Sequence, residues 1–235
     1  MGDAAGSYRL PARYIAQLVD FLDSTGIDRA TVLRPARIRS IDAPKAQVTL
    51  RQVEALLRAA EEASGRVDLG FELGRRLNPT SHDILGFALL TSPTFGHYLR
   101  LAVSYQRLIQ PVFALSLRRR AAWVDLVYLP AVALPHRSMR MLEETIVVSN
   151  HVAFQSTLHD RLPPYGVWMS VERPPHAERY RELSLQVRTD RARQLLAEGN
   201  LSVTQIAYRL GYTDVASFVR GFRTQTGRTP GSLRA

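Results

Sequence analysis

A chain of 235 residues, 46% hydrophobic and 22% charged, holds material for one large or two smaller packed domains and excludes a mainly disordered protein. Its 31 basic and 21 acidic residues leave a net charge of +10, which favours nucleic acid or an anionic membrane surface unless it reflects only an arginine bias, Lys45 being the single lysine. Lack of cysteine excludes disulfides, thiolate metal sites and cysteine nucleophiles. The N-terminus carries no signal-peptide pattern, and the longest apolar run, Ile84 to Leu90, is far too short to span a bilayer. A soluble, cytoplasmic protein with no membrane partner is expected.

Residues 9–23 place Leu10, Tyr14, Leu18, Phe21 and Leu22 at helical spacing, with Gly26 as a stop. Thr49 is the expected N-cap of a second helix carrying Leu50, Val53, Leu56 and Leu57 on one face and ending at Ser64-Gly65. A helix over Leu69 to Leu77 stops at Asn78-Pro79, because the residue before proline avoids the helical region. Two more helices are expected over 82–91 and 94–109. The period then shortens. Val112 to Leu117 and Trp123 to Leu129, separated by Arg118-Arg119-Arg120, read as a β-hairpin. Helical spacing returns over 137–158, Pro163-Pro164 breaks it, Val167 to Val171 reads as a short strand, and Pro174-Pro175 precedes further helix. There is no internal repeat and no low-complexity tract. The expected class is mostly α with a small β portion: an N-terminal α+β part, then helices alone from about residue 176.

Near the C-terminus, residues 185–198 carry Leu185, Val187, Ala192, Leu195 and Leu196 at helical spacing, and Gly199-Asn200 ends them. Ser202 and Gln205 have capping-box spacing, each satisfying a backbone N–H that the first helical turn leaves free. Val203, Ile206, Ala207 and Leu210 then follow at i, i+3, i+4 and i+7, and Gly211 ends this short helix. Asp214 caps the next one, which runs to about Gln225 before Gly227 and Pro230. A short helix, a glycine-containing turn and a second helix form the helix-turn-helix pattern.

On that second helix Val215, Phe218, Val219 and Phe222 share one side and must pack on Ile206 and Leu210. Thr213, Ser217, Arg220 and Thr224 lie opposite, with side chains suited to base edges and phosphates, and the helix N-terminus favours a nearby phosphate. From residue 185 onward there are eight arginines against three acids, so positive charge is concentrated here. The bland alternative, a solvated amphipathic hairpin, explains the turn but not this charge, the capping box and the polar stripe together.

The run Ser202-Val-Thr-Gln-Ile-Ala-Tyr-Arg-Leu-Gly-Tyr-Thr-Asp-Val-Ala-Ser-Phe-Val-Arg-Gly-Phe-Arg, closed by Gly227-Arg-Thr-Pro230, resembles the second helix-turn-helix of AraC-type transcription regulators over residues 185–234. The resemblance implies that Ile206, Ala207, Leu210, Gly211, Phe218 and Phe222 form the motif's core and turn. It implies DNA contact at Ser217 and Arg220, a backbone contact at Arg223, and contact positions at Val215 and Ala216 that meet only apolar features such as a thymine methyl. Together with Thr213 and Thr224 these make up the expected DNA-binding set. Leu69-Gly70-Phe-Glu-Leu-Gly-Arg-Arg and Gly86-Phe-Ala-Leu-Leu-Thr-Ser-Pro-Thr-Phe-Gly resemble the effector-sensing domain of one branch of the family, over residues 8–180.

The implied division is 1–180, effector-sensing, and 181–235, linker helix plus helix-turn-helix. Full-length relatives carry two such units, whereas one is found here, as though the end of the sensor and the first unit were missing near Tyr180 to Arg188. The implied function is sequence-specific, effector-responsive transcription regulation, with DNA binding weakened or made dimer-dependent. Double-stranded DNA, a small-molecule effector and a second copy of the chain are the implied partners.

Two other classes compete. The histidines at 82, 97, 136, 151, 159 and 176 include no i, i+4 metal clip, and no dinucleotide, P-loop or nucleophile-elbow signature occurs, so no enzyme, metal or cofactor is expected. The remaining alternative is a sensor or interaction protein that does not bind DNA but dimerises with, or interferes with, a full-length relative. Tyr105, Trp123, Tyr128 and Trp168 either line an effector pocket or fill the core; no effector-binding residue is assigned.

Overall fold

The computed structural model describes residues 8–43, 45–120, 124–158 and 165–233, with backbone alone for 184–187 and 191. The chain divides between Asn150 and His151 into two compact units.

The first unit opens on two strands, β1 (Arg9–Pro11) and β2 (Gln47–Thr49), paired antiparallel with Leu10 opposite Val48. Helix α1 (Ala12–Ser24) follows β1 directly and buries Tyr14, Ile15, Leu18, Val19 and Leu22 along one face. Each such fully buried aliphatic side chain contributes roughly 1.5–3 kcal/mol relative to exposure. Helix α2 (Arg29–Leu33) is capped by Asp28, whose Oδ1 accepts from the Ala30 amide at 2.6 Å. Helix α3 (Leu50–Ser64) begins in a capping box between Thr49 and Gln52 and ends at Gly65, φ +64°. Its Leu50, Val53, Leu56 and Leu57 join the α1 face in one apolar core.

Helix α4 (Leu69–Arg76) carries Glu72, buried yet charge-paired with Arg66 at 3.1 Å and Arg76 at 2.6 Å, and both guanidinium groups stack on Phe21. A 3₁₀ turn (Pro79–His82) leads into α5 (Asp83–Leu90), then α6 (Phe95–Ile109), capped by Thr94. Strands β3 (Phe113–Arg119) and β4 (Val124–Pro130) form an antiparallel hairpin with Phe113 opposite Pro130 and Arg119 opposite Val124. Helix α7 (His136–Leu158) returns Met141 and Leu142 to the core.

The second unit holds α8 (Glu178–Glu198), α9 (Val203–Arg209), α10 (Val215–Thr226) and a closing 3₁₀ turn at Gly231–Leu233. The protein is thus mostly helical with two small sheets, as composition and periodicity imply.

Local details differ from the sequence reading. Residues 167–171 form no strand, since an apolar stretch becomes one only with a partner ladder, and none pairs with it among the described residues. The helix expected after Pro174-Pro175 and the 185–198 stretch are one continuous helix, α8, from Glu178. Residues 9–11, expected as the start of the first helix, instead form β1, because Leu10 pairs with Val48 across the chain; β2 and α2 carry no sequence expectation of their own. Trp123, His159, Pro163-Pro164 and the side chains of Leu185 and Val187 lie outside the described residues.

Candidate nucleic-acid interface

Three helices build the C-terminal site. Ala192, Leu195 and Leu196 of α8, Ile206 and Ala207 of α9, and Phe218 and Phe222 of α10 are fully or almost fully buried against one another. Leu210, Tyr212, Val215 and Val219 pack around them, half-buried. The two phenylalanines are tilted with ring centroids 5.8 Å apart, and Tyr212 meets Phe218 edge-on at 5.3 Å.

The connection is fixed by local chemistry. Ser202 and Gln205 form the reciprocal capping box, with Ser202 Oγ accepting from the Gln205 amide at 3.2 Å and Gln205 Oε1 accepting from the Ser202 amide at 2.8 Å. Gly211 holds φ +78°, where a side chain would be strained although nothing crowds it. Asp214 caps α10, and Gly227, φ +72°, ends it.

Of the expected contact residues, Thr213, Ala216, Arg220, Arg223 and Thr224 are exposed and Ser217 is half-exposed. Val215 packs against the core cluster, so only part of its surface faces outward. The core residues Ile206, Ala207, Phe218 and Phe222 are buried, Leu210 is half-buried, and Gly211 is exposed in the turn. The outer stripe and the inner face of α10 thus separate as its periodicity implies.

The stripe is not a row of independent side chains. Asp214 Oδ1 accepts the Ser217 backbone N–H at 2.7 Å, and Ser217 Oγ donates to Asp214 Oδ2 at 2.8 Å. Arg220 Nη2 donates to Ser217 Oγ at 2.9 Å, and Thr224 Oγ1 donates to the Arg220 carbonyl at 2.9 Å. These bonds, led by the Ser217 backbone N–H, hold the Asp214 carboxyl below the usual carboxylate range. The α10 N-terminus is thus capped by the chain's own carboxylate, at the Asp214 position expected from sequence. Sequence reasoning missed this chain of bonds, and also the Arg188 guanidinium of α8, which lies over the Tyr212 ring at 5.5 Å. The i, i+3, i+6 spacing of Asp214, Ser217 and Arg220 was the available signal for the first feature. No local signal marks the second.

Tyr105, Tyr128 and Trp168, the other pocket candidates, do not share one environment. Tyr128 is largely enclosed, bonds Asn150 Nδ2 at 3.0 Å, and has its hydroxyl pushed up to about 12 by burial. Tyr105 is half-exposed, and Trp168 is almost fully exposed in the other unit. Among the described residues no cluster of three or more His, Asp or Glu is arranged to hold a metal ion. No described helix is long and apolar enough to cross a membrane.

A short capped helix, a left-handed glycine and a second helix with a polar outer stripe, all on one apolar core, define the helix-turn-helix class. A family model described as the N-terminal arabinose-binding domain of the AraC transcription regulator matches residues 26–197, and a helix-turn-helix domain model matches 177–235. The chain belongs to the AraC-type transcription regulators. The ornithine utilization regulator of Pseudomonas aeruginosa is 27% identical over 176 residues, covering 74% of this chain and 52% of its own length. The chain therefore spans about half the length of the curated relative it matches. The crystal structure of the transcriptional regulator CdpR from Pseudomonas aeruginosa is 17% identical, with 94% of this chain and 98% of that one covered, at a TM-score of 0.40.

Proposed function

We propose that this chain is a non-enzymatic, sequence-specific DNA-binding transcription regulator of the cytoplasm, reading double-stranded DNA through α10. Thr213, Ser217, Arg220 and Thr224 face base edges, Val215 and Ala216 offer apolar contact, and Arg223 meets a phosphate. Residues 1–180 act as a small-molecule sensor, and residues 181–235 as the DNA-reading part. The observation that carries this reading is the exposed polar stripe of α10, opposite Phe218 and Phe222.

A recognition helix needs one face buried to fix its angle and the other free to enter the major groove. Arginine at the centre of the free face suits guanine, whose O6 and N7 accept two parallel bonds. We further propose that a single helix-turn-helix does the reading, the first unit of full-length relatives being absent. The two family matches overlap on residues 177–197, the greater part of α8, which supports this. One unit makes fewer phosphate contacts than two, so binding is weak, strongly salt-dependent, or reliant on a second copy.

The test selects sites from a random-sequence duplex DNA pool and measures their affinity at low and physiological salt. The expected result is an enriched site bound far more weakly at physiological salt, with Arg220→Ala losing sequence discrimination while keeping its melting temperature. Tight monomeric binding at both salts would sink the single-unit reading. Failure to enrich any site favours the alternative of an interaction protein that pairs with a full-length relative.

A further inference from the structure

We infer that Asp214, acting through Ser217, is a positioning residue that aims the Arg220 guanidinium at a guanine edge. This inference rests on the proposed reading of DNA by α10 and names a determinant of its specificity that lies outside the expected contact set. Proton bookkeeping fixes the direction of the chain of bonds. Arginine only donates, so Ser217 Oγ must accept from Arg220 Nη2. An ionised carboxylate only accepts, so the single hydroxyl proton of Ser217 goes to Asp214 Oδ2. Asp214 Oδ1 meanwhile holds the Ser217 amide, which ties the carboxylate to the helix frame.

Three consequences follow for recognition. Ser217 has no proton left to give a guanine acceptor, so it serves DNA chiefly by holding Arg220. Arg220 is drawn towards the start of α10, the end at which recognition helices meet base edges. It spends one N–H on Ser217 and keeps the others, enough for the paired bonds to guanine O6 and N7. The carboxylate itself lies on the exposed rim, where its charge opposes phosphate. Besides capping α10, the carboxylate orients the Ser217 hydroxyl and, through it, Arg220.

Opposite charge effects on affinity and specificity make the inference testable. Asparagine caps helices as well as aspartate does, so Asp214→Asn preserves α10. It removes the negative charge and replaces one acceptor with a donor, which breaks the relay. Site selection from the random duplex pool is followed by competition against the same site with its Arg220-dependent guanine replaced. Wild type should discriminate by about tenfold, within the range of one bidentate pair. Asp214→Asn and Ser217→Ala should both lose most of that ratio, while Asp214→Asn keeps or gains affinity for random duplex. Ser217→Thr, which retains the hydroxyl, should restore discrimination. A purely structural cap would instead change the melting temperature and leave the ratio alone. Unchanged discrimination in Asp214→Asn and Ser217→Ala overturns this inference only; a wild-type chain that enriches no site overturns the DNA-reading role with it.

Discussion

His82 ends the 3₁₀ turn before α5 and is held against α1, where its Nδ1 lies 2.9 Å from the Tyr14 hydroxyl. Arg13 and Gln17 of the same helix bond Asp83 and Ser81 on either side of it, at 2.5 and 3.2 Å. Burial, reinforced by the Arg13 charge and opposed by Asp83, lowers the imidazole to about 4. The unfolded chain, with histidine near 6.5, then binds the proton more readily than the folded one. Stability is fully present above pH 6.5 and is lost as pH falls towards about 4, by on the order of 3 kcal/mol in total. Urea unfolding at pH 7 and pH 4.5 should show this loss in wild type and a smaller one in His82→Gln. Whatever else changes between these pH values acts on both proteins alike, so the difference between them is the readout. Identical slopes would mean that His82 is not the titrating group.

Elements with their own boundary chemistry were legible in the sequence. Thr49 before Gln52, Thr94 before His97 and Ser202 before Gln205 mark helix starts through side chains that bond a nearby amide, and Gly65, Gly211 and Gly227 mark ends through backbone shape. The inner and outer faces of α10 were legible for the same local reason, since 3.6-residue spacing alone decides them. What escaped depends on partners far away in the chain. Strands β1 and β2 are three residues each and exist because they pair with one another across the whole of α1, α2 and the loop that follows. Residues 167–171 have strand-like composition but no ladder among the described residues. Arg188 and Tyr212 meet only once α8 and α9 have packed.

Glycines inside α4 are another non-local matter. A Cβ on Gly70 would stand 2.5 Å from the Met141 carbonyl oxygen of α7, and one on Gly74 would stand 2.7 Å from Val148 Cβ and 2.9 Å from the Thr145 carbonyl. The close approach also lets Thr145 Oγ1 reach the Gly70 carbonyl at 3.2 Å. Alanine is the better helix former, so at an exposed site Gly74→Ala would stabilise the chain. Here the backbone of α7 must move, and such overpacking costs about 1–3 kcal/mol. Gly74→Ala should therefore lower the urea midpoint at unchanged slope. A raised midpoint would show that α4 and α7 are not packed this closely.

At the scale of the whole chain, a regulator must make one event depend on another. The first unit has an extensive apolar core and the second a small one around α8, α9 and α10, so each has the means to hold its own shape. If a ligand of the sensing part changes DNA affinity by some factor, DNA must change ligand affinity by the same factor. A ligand at a hundred times its dissociation constant stabilises the folded state by about 2.7 kcal/mol, enough to move a melting temperature by several degrees. The expected outcome is that one small metabolite in a chemically diverse panel raises the melting temperature. That same metabolite should then alter affinity for the selected duplex, and the duplex should alter its affinity equally. A panel without any shift removes the sensing role. A shift with no change in DNA affinity leaves a ligand-binding chain whose two parts are uncoupled, which is the behaviour of an interaction protein and not of a regulator.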